Sequence, residues 1–454
     1  MTFIAPFRGV RFNPAKISCL EEVVTPPYDV IDHRTQGVYR NKNPYNMIHL
    51  DLCVKHTPEP LAESHYEQAR DLFEQWQQEQ VLIRDETPAM YLYFVDYLRP
   101  GRKRLTRKGF MTLVRLAELD EGIIKPHEQT FQVVTSDRLR LMETCNAQFS
   151  QIFSLYSDVE AQVMEWLTAA RSDEPLSSVI DEQGNVHRLW KITDSETLRK
   201  VQAFMADKPL YIADGHHRYT TALRLRERLK EQGKTLADDS PFNYTVMYLT
   251  AMEDKGLSIL PTHRLVRVPG GLPLGLFIKR LAPYFDIRSV GGGSREGLIF
   301  EVLSQMEEYA GSATMFGVYQ ADEDECYLLT LRPGIMKALF KDAIPQALAD
   351  LDVVVLSELV LGHVLGLTPE RCVTEDLVRY LSDPDDAIDM VVKESSEQEP
   401  YGGLLFLMNP TQVSQVRRVA DEGLIMPHKS TFFYPKILTG LLMNKMVADE
   451  KVAD

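Results

Sequence analysis

Residues 210–223 read LYIADGHHRYTTAL, and the rest of the chain is organised around them. Leu210, Tyr211, Ile212 and Ala213 make a short apolar run of the kind that fills a buried strand, and Asp214-Gly215 breaks it. An amphipathic helix is expected next, with Tyr219, Ala222, Leu223 and Leu225 on one side and Arg224, Arg226, Glu227 and Arg228 elsewhere. The break brings an acid, a glycine, two imidazoles and a guanidinium (Asp214, Gly215, His216, His217, Arg218) to one strand-to-helix turn. Backbone N–H groups at a helix start lack intrahelical partners and carry partial positive charge, so such a turn is an anion site. Gly215 lets the backbone approach a ligand closely, and Arg218 offers a bidentate clamp on phosphate. The competing reading makes Asp214 a helix cap and leaves the histidines on the solvent side. Five such residues in succession favour the functional reading.

The composition narrows the function classes. The 454 residues suffice for two or three domains, and 44% apolar with 25% charged residues is ordinary for a globular protein. A formal net charge of −15 argues against a large nucleic-acid footprint, which needs a basic face. The local basic stretch from Arg99 to Lys108 lies between two strand-like runs, Met90–Leu98 and Gly109–Leu119, and reads as a solvated hairpin loop. Five scattered cysteines without C-x-x-C spacing suggest neither a disulfide framework nor a zinc site, as expected in a reducing cytoplasm. The first residues lack the apolar core of a signal peptide, and no stretch approaches the ~20 apolar residues of a membrane span.

Along the chain, Asn46–Leu52 alternates as a strand would, and Leu61–Gln80 has a helical apolar face of Tyr66, Ala69, Leu72, Phe73 and Trp76. The glycine-rich run Gly291–Gly297 reads as a loop before a helix. A composition shift at Pro269-Gly-Gly marks a boundary, giving an expected core over 1–268 and an α+β region over 269–400. A C-terminal segment, 401–454, is expected to pack back on the core. No Walker loop, G-x-S-x-G elbow or H-E-x-x-H helix is present. Polar clusters in expected loops are His127-Glu128, Asp137-Arg138, His263-Arg264 and His428-Lys429-Ser430. With the central turn they supply what phosphoryl transfer requires: cations and backbone donors for phosphates, carboxylates for Mg²⁺, and a base for the attacking hydroxyl.

The Asp214-Gly-His-His-Arg218 turn resembles the signature of the ParB/sulfiredoxin superfamily, a strand-turn-helix with Gly-x-His-Arg that binds nucleotide phosphates. The stretches PFRGVRFN (6–13), PPYDVI (26–31), NPYNMIHLDL (43–52), PHEQT (126–130), ADGHHRYTTAL (213–223), ILPTHR (259–264) and MPHKSTFFYPK (426–436) are similar to an uncharacterised prokaryotic family. That family is catalogued as domain of unknown function one-zero-one-five and carries a ParB-like label. The resemblance implies a mixed α/β fold: a ParB/sulfiredoxin-like core followed by an α+β region. Sulfiredoxins have a cysteine where His216 stands, so their chemistry is not expected. The closest resemblance is to free-serine kinases, whose Asp-Gly-x-His-Arg matches Asp214, Gly215, His217 and Arg218.

It implies a cytoplasmic phosphotransferase using ATP, ADP or CTP with Mg²⁺ on a small hydroxylated metabolite, foremost L-serine or phosphoserine, as a kinase or in the phosphoserine-consuming direction. Glu128, with His127, is the candidate base. Gly215, His217, Arg218, Tyr219, Arg264 and Lys429 are candidate phosphate contacts, and Asp214 orients substrate or helps to hold the metal. His216 completes the catalytic candidates, and Asp29, Arg138, His263 and Ser430 are candidate substrate contacts. The alternative is a non-catalytic CTP- or ATP-binding ParB-like regulatory protein. The expected partners are the small-molecule substrate and the nucleotide; neither a membrane nor nucleic acid is expected.

Overall fold

The apolar run of the central stretch is a buried strand, Leu210–Asp214, and the helix that follows spans His216–Glu231. The computed structural model describes residues 1–52, 63–99, 103–130, 132–292, 294–321, 323, 325–397 and 403–452. The chain divides into two compact units. One comprises Met1–Pro126, Thr130–Ser258 and Pro435–Asp454, the other His127–Gln129 and Ile259–Tyr434. The fold is mixed α/β.

In the first unit a nine-stranded sheet runs in the order Ile124–Lys125, Leu210–Asp214, Ile152–Tyr156, Tyr244–Ala251, Lys103–Arg115, Met90–Arg99, Val186–Ile192, Ser177–Ile180, with Ile4–Ala5 also on Lys103–Arg115. Leu210–Asp214 lies parallel to Ile124–Lys125 and antiparallel to Ile152–Tyr156. The antiparallel register slips between Ile212 and Asp214. Such a bulge re-aims the side chain that follows it, and here that side chain is Asp214. The helix His216–Glu231 buries Tyr219, Ala222, Leu223, Leu225 and Leu229, each worth roughly 1.5–3 kcal/mol if large and apolar. The Tyr219 hydroxyl takes the N–H of Ala117 (3.0 Å) and donates to its carbonyl (2.7 Å), fixing the helix to the sheet.

The second unit holds a six-stranded antiparallel sheet in the order Phe285–Gly291, Glu325–Leu331, Met315–Tyr319, Leu404–Met408, His263–Val266, Val378–Leu381. Its core includes Leu265, Val302, Met306, Tyr319, Leu328 and Leu405. The glycine-rich run is not all loop: Gly291 ends the strand Phe285–Gly291, and Ser294 caps the helix Arg295–Glu308, whose first turn holds Gly297.

The helix Glu63–Gln78 buries Tyr66, Ala69, Phe73 and Trp76, the face expected from spacing. Three other local expectations are corrected. Asn46–Leu52 is not a strand but contains a helical turn, Ile48–Asp51. The Asn46 side chain accepts from Ile48 N–H (2.9 Å) and donates to the Glu22 carbonyl (2.6 Å), and this local bonding overrides the alternating pattern. Asp137-Arg138 is not in a loop but within the helix Gln132–Cys145, whose inner face is Arg138, Leu141, Met142 and Cys145; the spacing is helical, with a guanidinium on the buried stripe. The basic stretch is strand from Lys103 onward, and Arg107 on it is wholly buried. Residues 100–102 of that stretch lie outside the described ones.

Gly256 marks where two chain segments of the first unit touch. A Cβ built there would lie 1.9 Å from the Thr106 carbonyl oxygen, which as backbone cannot step aside. Gly256→Ala is therefore expected to lower stability by ~2 kcal/mol, read as a fall in urea midpoint at unchanged slope. A midpoint equal to wild type would show that the strand can shift freely.

Candidate functional site

The centre of the first unit's polar cluster is Asp214. It ends its strand, and Gly215 follows at φ 96°, a left-handed conformation suited to glycine. No side chain caps the helix that begins at His216. Asp214 instead faces two cations: Arg218 Nη2 donates to Oδ2, and Lys436 Nζ donates to Oδ1. Arg218 Nη1 also donates to the Gln151 carbonyl, while its buried Nε has no hydrogen-bond partner. Burial alone would raise the Asp214 carboxyl. The Lys436 ammonium and the Arg218 guanidinium outweigh it, His216 adds to them, and the group is held well below the ordinary carboxylate range.

A second layer orders the same cluster. Arg138 Nη1 donates to the Asp51 carbonyl (2.8 Å) and to Asp51 Oδ1 (2.9 Å), and Arg138 Nε to Asp137 Oδ2 (2.8 Å). Tyr66 donates to Asp137 (2.7 Å), and the Tyr28 ring lies 4.4 Å from the Arg138 guanidinium. Burial raises the Asp51 carboxyl despite Arg138, whereas Asp137, also penalised by burial, is lowered by Arg138 and Tyr66. Tyr28, Asp51, Arg138, Ser150 and Arg218 share the wall of a cavity of about 40 Å³, room for about one or two waters and not for a nucleotide. Asp29, exposed in the turn Tyr28–Val30, is near enough to act electrostatically on Arg218.

The second unit carries another polar cluster. Glu128 Oε1 accepts from the Lys429 N–H (3.2 Å) and pairs with His428 Nδ1 (3.0 Å). His127, 1% exposed, has Nε2 at 3.1 Å from the Thr431 hydroxyl. Arg264, 2% exposed, donates to the Thr262 carbonyl (3.0 Å) and to that of Lys429 (3.4 Å), and lies over the Tyr380 ring. Burial pushes its guanidinium down to about 10. The neighbouring His263 is buried, accepts from the Met408 N–H (3.1 Å), and is pushed down to about 4 by burial and by Arg264. Ser430 is buried and donates to the Pro427 carbonyl (2.6 Å).

The candidate residues thus fall into two sets. Asp214, Gly215, His216, His217, Arg218, Arg138 and Asp29 lie in the first unit, and His127, Glu128, His263, Arg264, Lys429 and Ser430 in the second. Tyr219 belongs under the helix, its hydroxyl committed to Ala117. Lys436, Asp51 and Tyr28 were not singled out from sequence. The signal was there in part, because each closes or sits within a stretch that carries the family resemblance.

Among the described residues, no group of three or more His, Cys, Asp and Glu side chains is arranged to hold a metal ion. Both oxygens of Asp214 carry cationic donors, which does not fit a metal ligand. No described helix is long and apolar enough to cross a membrane.

Comparison with known proteins gives a family and remote structural similarity. Residues 4–354 match the family model described as "Protein of unknown function (DUF1015)". No curated protein matches the chain. Among solved structures, a free serine kinase in complex with AMP is 13% identical, with 72% of this chain and 91% of that chain covered and a TM-score of 0.34. A conserved hypothetical protein from Pyrococcus furiosus is 14% identical, with 72% and 94% covered and a TM-score of 0.33. C-terminally truncated SbnI from Staphylococcus aureus is 11% identical, with 72% and 85% covered and a TM-score of 0.31.

The charge arrangement at Asp214 sets a pH dependence. Its carboxyl is depressed in the folded state, so its stabilising contribution is complete above the ordinary value of 3.8 and is lost as pH falls below it. Asp214→Asn is expected to cost ~3 kcal/mol at neutral pH, since two cations lose their partner. The variant is also expected to lose less further stability than wild type on acidification below pH ~4. Parallel stability–pH curves for the two proteins would contradict this.

Proposed function

We propose that this chain, which belongs to the family described as "Protein of unknown function (DUF1015)", is a nucleotide-dependent phosphotransferase acting on a small hydroxylated metabolite, foremost L-serine or phosphoserine. One observation carries the reading: a single carboxylate, Asp214, holds two cations at an uncapped helix start. Phosphoryl transfer asks the protein mainly for positioning and for charge placed where the phosphoryl oxygens will be. Arg218 and Lys436 supply that charge, and the backbone N–H groups after Gly215 supply donors. His217, half-buried on the first helical turn, is a further donor to phosphate.

Asp214 acts in this reading as the orienting anion. A carboxylate so strongly depressed is a poor proton acceptor at neutral pH. Glu128, whose side chain retains 26% exposure, is the proposed acceptor of the hydroxyl proton. ATP, ADP or CTP is the proposed phosphate carrier. Magnesium would enter on the nucleotide's phosphates, a setting in which it keeps several waters, and no step depends on a protein-held metal. Serine is proposed from the likeness of the Asp-Gly-x-His-Arg turn to that of free-serine kinases.

Phosphorus NMR time courses test this directly: ATP plus serine, ADP plus serine, and phosphoserine with and without nucleotide, each with Mg²⁺. A phosphoserine signal is expected to grow or to be consumed. His217→Ala and Glu128→Ala are each expected to slow turnover ~100-fold or more with the fold intact by circular dichroism. Full activity in both variants would overturn the assignment of roles. Flat spectra alongside measurable nucleotide binding would replace catalysis by a nucleotide-sensing role.

A further inference from the structure

Arg107 is 0% exposed in the middle of the strand Lys103–Arg115. Among the described residues no carboxylate lies within ion-pair distance of it. Its guanidinium is 4.8 Å from the Phe153 ring centroid and 5.4 Å from that of Tyr248. Nε and Nη2 are buried and make no well-aligned hydrogen bond, although the guanidinium interacts with the Tyr248 hydroxyl and its charge is felt by that of Tyr93. A well-aligned hydrogen bond runs from Nη1 to the carbonyl of Pro435, at 2.7 Å. Burying a guanidinium whose donors are incompletely met is unfavourable, and an apolar side chain of similar volume serves a core at least as well. Packing therefore does not explain an arginine here.

The carbonyl it holds belongs to the residue before Lys436, whose ammonium rests on Asp214. Lys436 stands at the start of a segment that is fixed further along by other contacts. Thr439 exchanges two backbone hydrogen bonds with Thr25, Met443 does the same with Val10, and Asn444–Lys445 pairs with Ala147–Gln148. Of these contacts, the one from Arg107 lies nearest to Lys436 in the chain. The aromatic rings confine the guanidinium in turn.

We propose that Arg107 is a positioning residue: through the Pro435 carbonyl it fixes the backbone that presents the Lys436 ammonium to Asp214 at the helix start. Its consequence for ligand binding rests on the phosphate-turn reading above; the positioning itself does not.

Competitive acylation of lysines in the full-length protein, quantified by peptide mass spectrometry, tests the two separately. The reagent must reach the amine, and the Lys436 side chain is only 16% exposed with its Nζ held on Asp214, so Lys436 is expected to react slowly in wild type. In Arg107→Met its labelling should rise about tenfold, matching the loss of one charge-assisted hydrogen bond. Arg107→Lys, which keeps a donor, should fall between. Lys445, on the same segment with Nζ 2.9 Å from Gln77 Oε1, is the internal control and should not change. Unchanged Lys436 labelling overturns the proposal. A joint rise at Lys436 and Lys445 also overturns it, by showing that Arg107 merely holds the segment in the fold. Should Arg107→Met fail to fold, wild-type labelling of Lys436 in Arg107→Lys overturns it equally. ATP titrations of the same proteins address the ligand: weaker binding in Arg107→Met, with no further loss in the Arg107→Met/Lys436→Met double variant, is expected. Failure of wild type to bind ATP would remove the phosphate reading and leave the labelling result standing.

Discussion

The Asp214 carboxylate, shared between Arg218 and Lys436, is the interaction on which the first unit's polar centre depends. Buried charge is tolerated only with well-placed partners, and each partner here is fixed by a different part of the chain. Arg218 is carried one turn into the helix that Asp214 precedes. Lys436 arrives from the segment Pro435–Asp454, more than two hundred residues downstream in sequence. The strand bulge between Ile212 and Asp214 then turns the carboxylate toward both. Removing Asp214 leaves two buried cations without their partner, and removing either cation leaves the carboxylate with one partner in place of two, so the sequence is constrained at widely separated positions by one contact.

Around this centre the polar residues form layers. Arg138 spans Asp51 and Asp137, Tyr66 completes Asp137, and Tyr28 covers the Arg138 guanidinium. Satisfied networks of this kind rigidify a site, and preorganised charge is what phosphoryl transfer uses. The second unit shows a different economy. There Arg264 is buried on carbonyl oxygens and a tyrosine ring, and burial shifts it strongly. Its Glu128 is tied to His428 and to the Lys429 N–H and keeps partial contact with solvent.

The strand-turn-helix was legible because three signals coincide within a short stretch: an apolar run, a strand-ending Asp-Gly and a helical apolar face. The helix Glu63–Gln78 was legible for the same reason. Three kinds of feature were not. Local side-chain bonding misleads a periodicity argument, as at Asn46, where a side-chain turn replaces the expected strand. Buried charge misleads a polarity argument: Arg138 and Arg107 read as loop residues because arginine is usually solvated, yet both sit inside regular elements. Lys436 posed a third problem, since partners far apart in sequence leave no spacing to read. Its place at the end of MPHKSTFFYPK marked the segment without marking the residue.

The central claim is that phosphate meets the protein at the backbone following Gly215. Amide NMR of ¹⁵N,²H-labelled protein during titration with ADP would locate that contact residue by residue. The largest shifts are expected at the N–H groups of His216, His217 and Arg218. Saturable shifts elsewhere with these three amides unmoved would contradict the account.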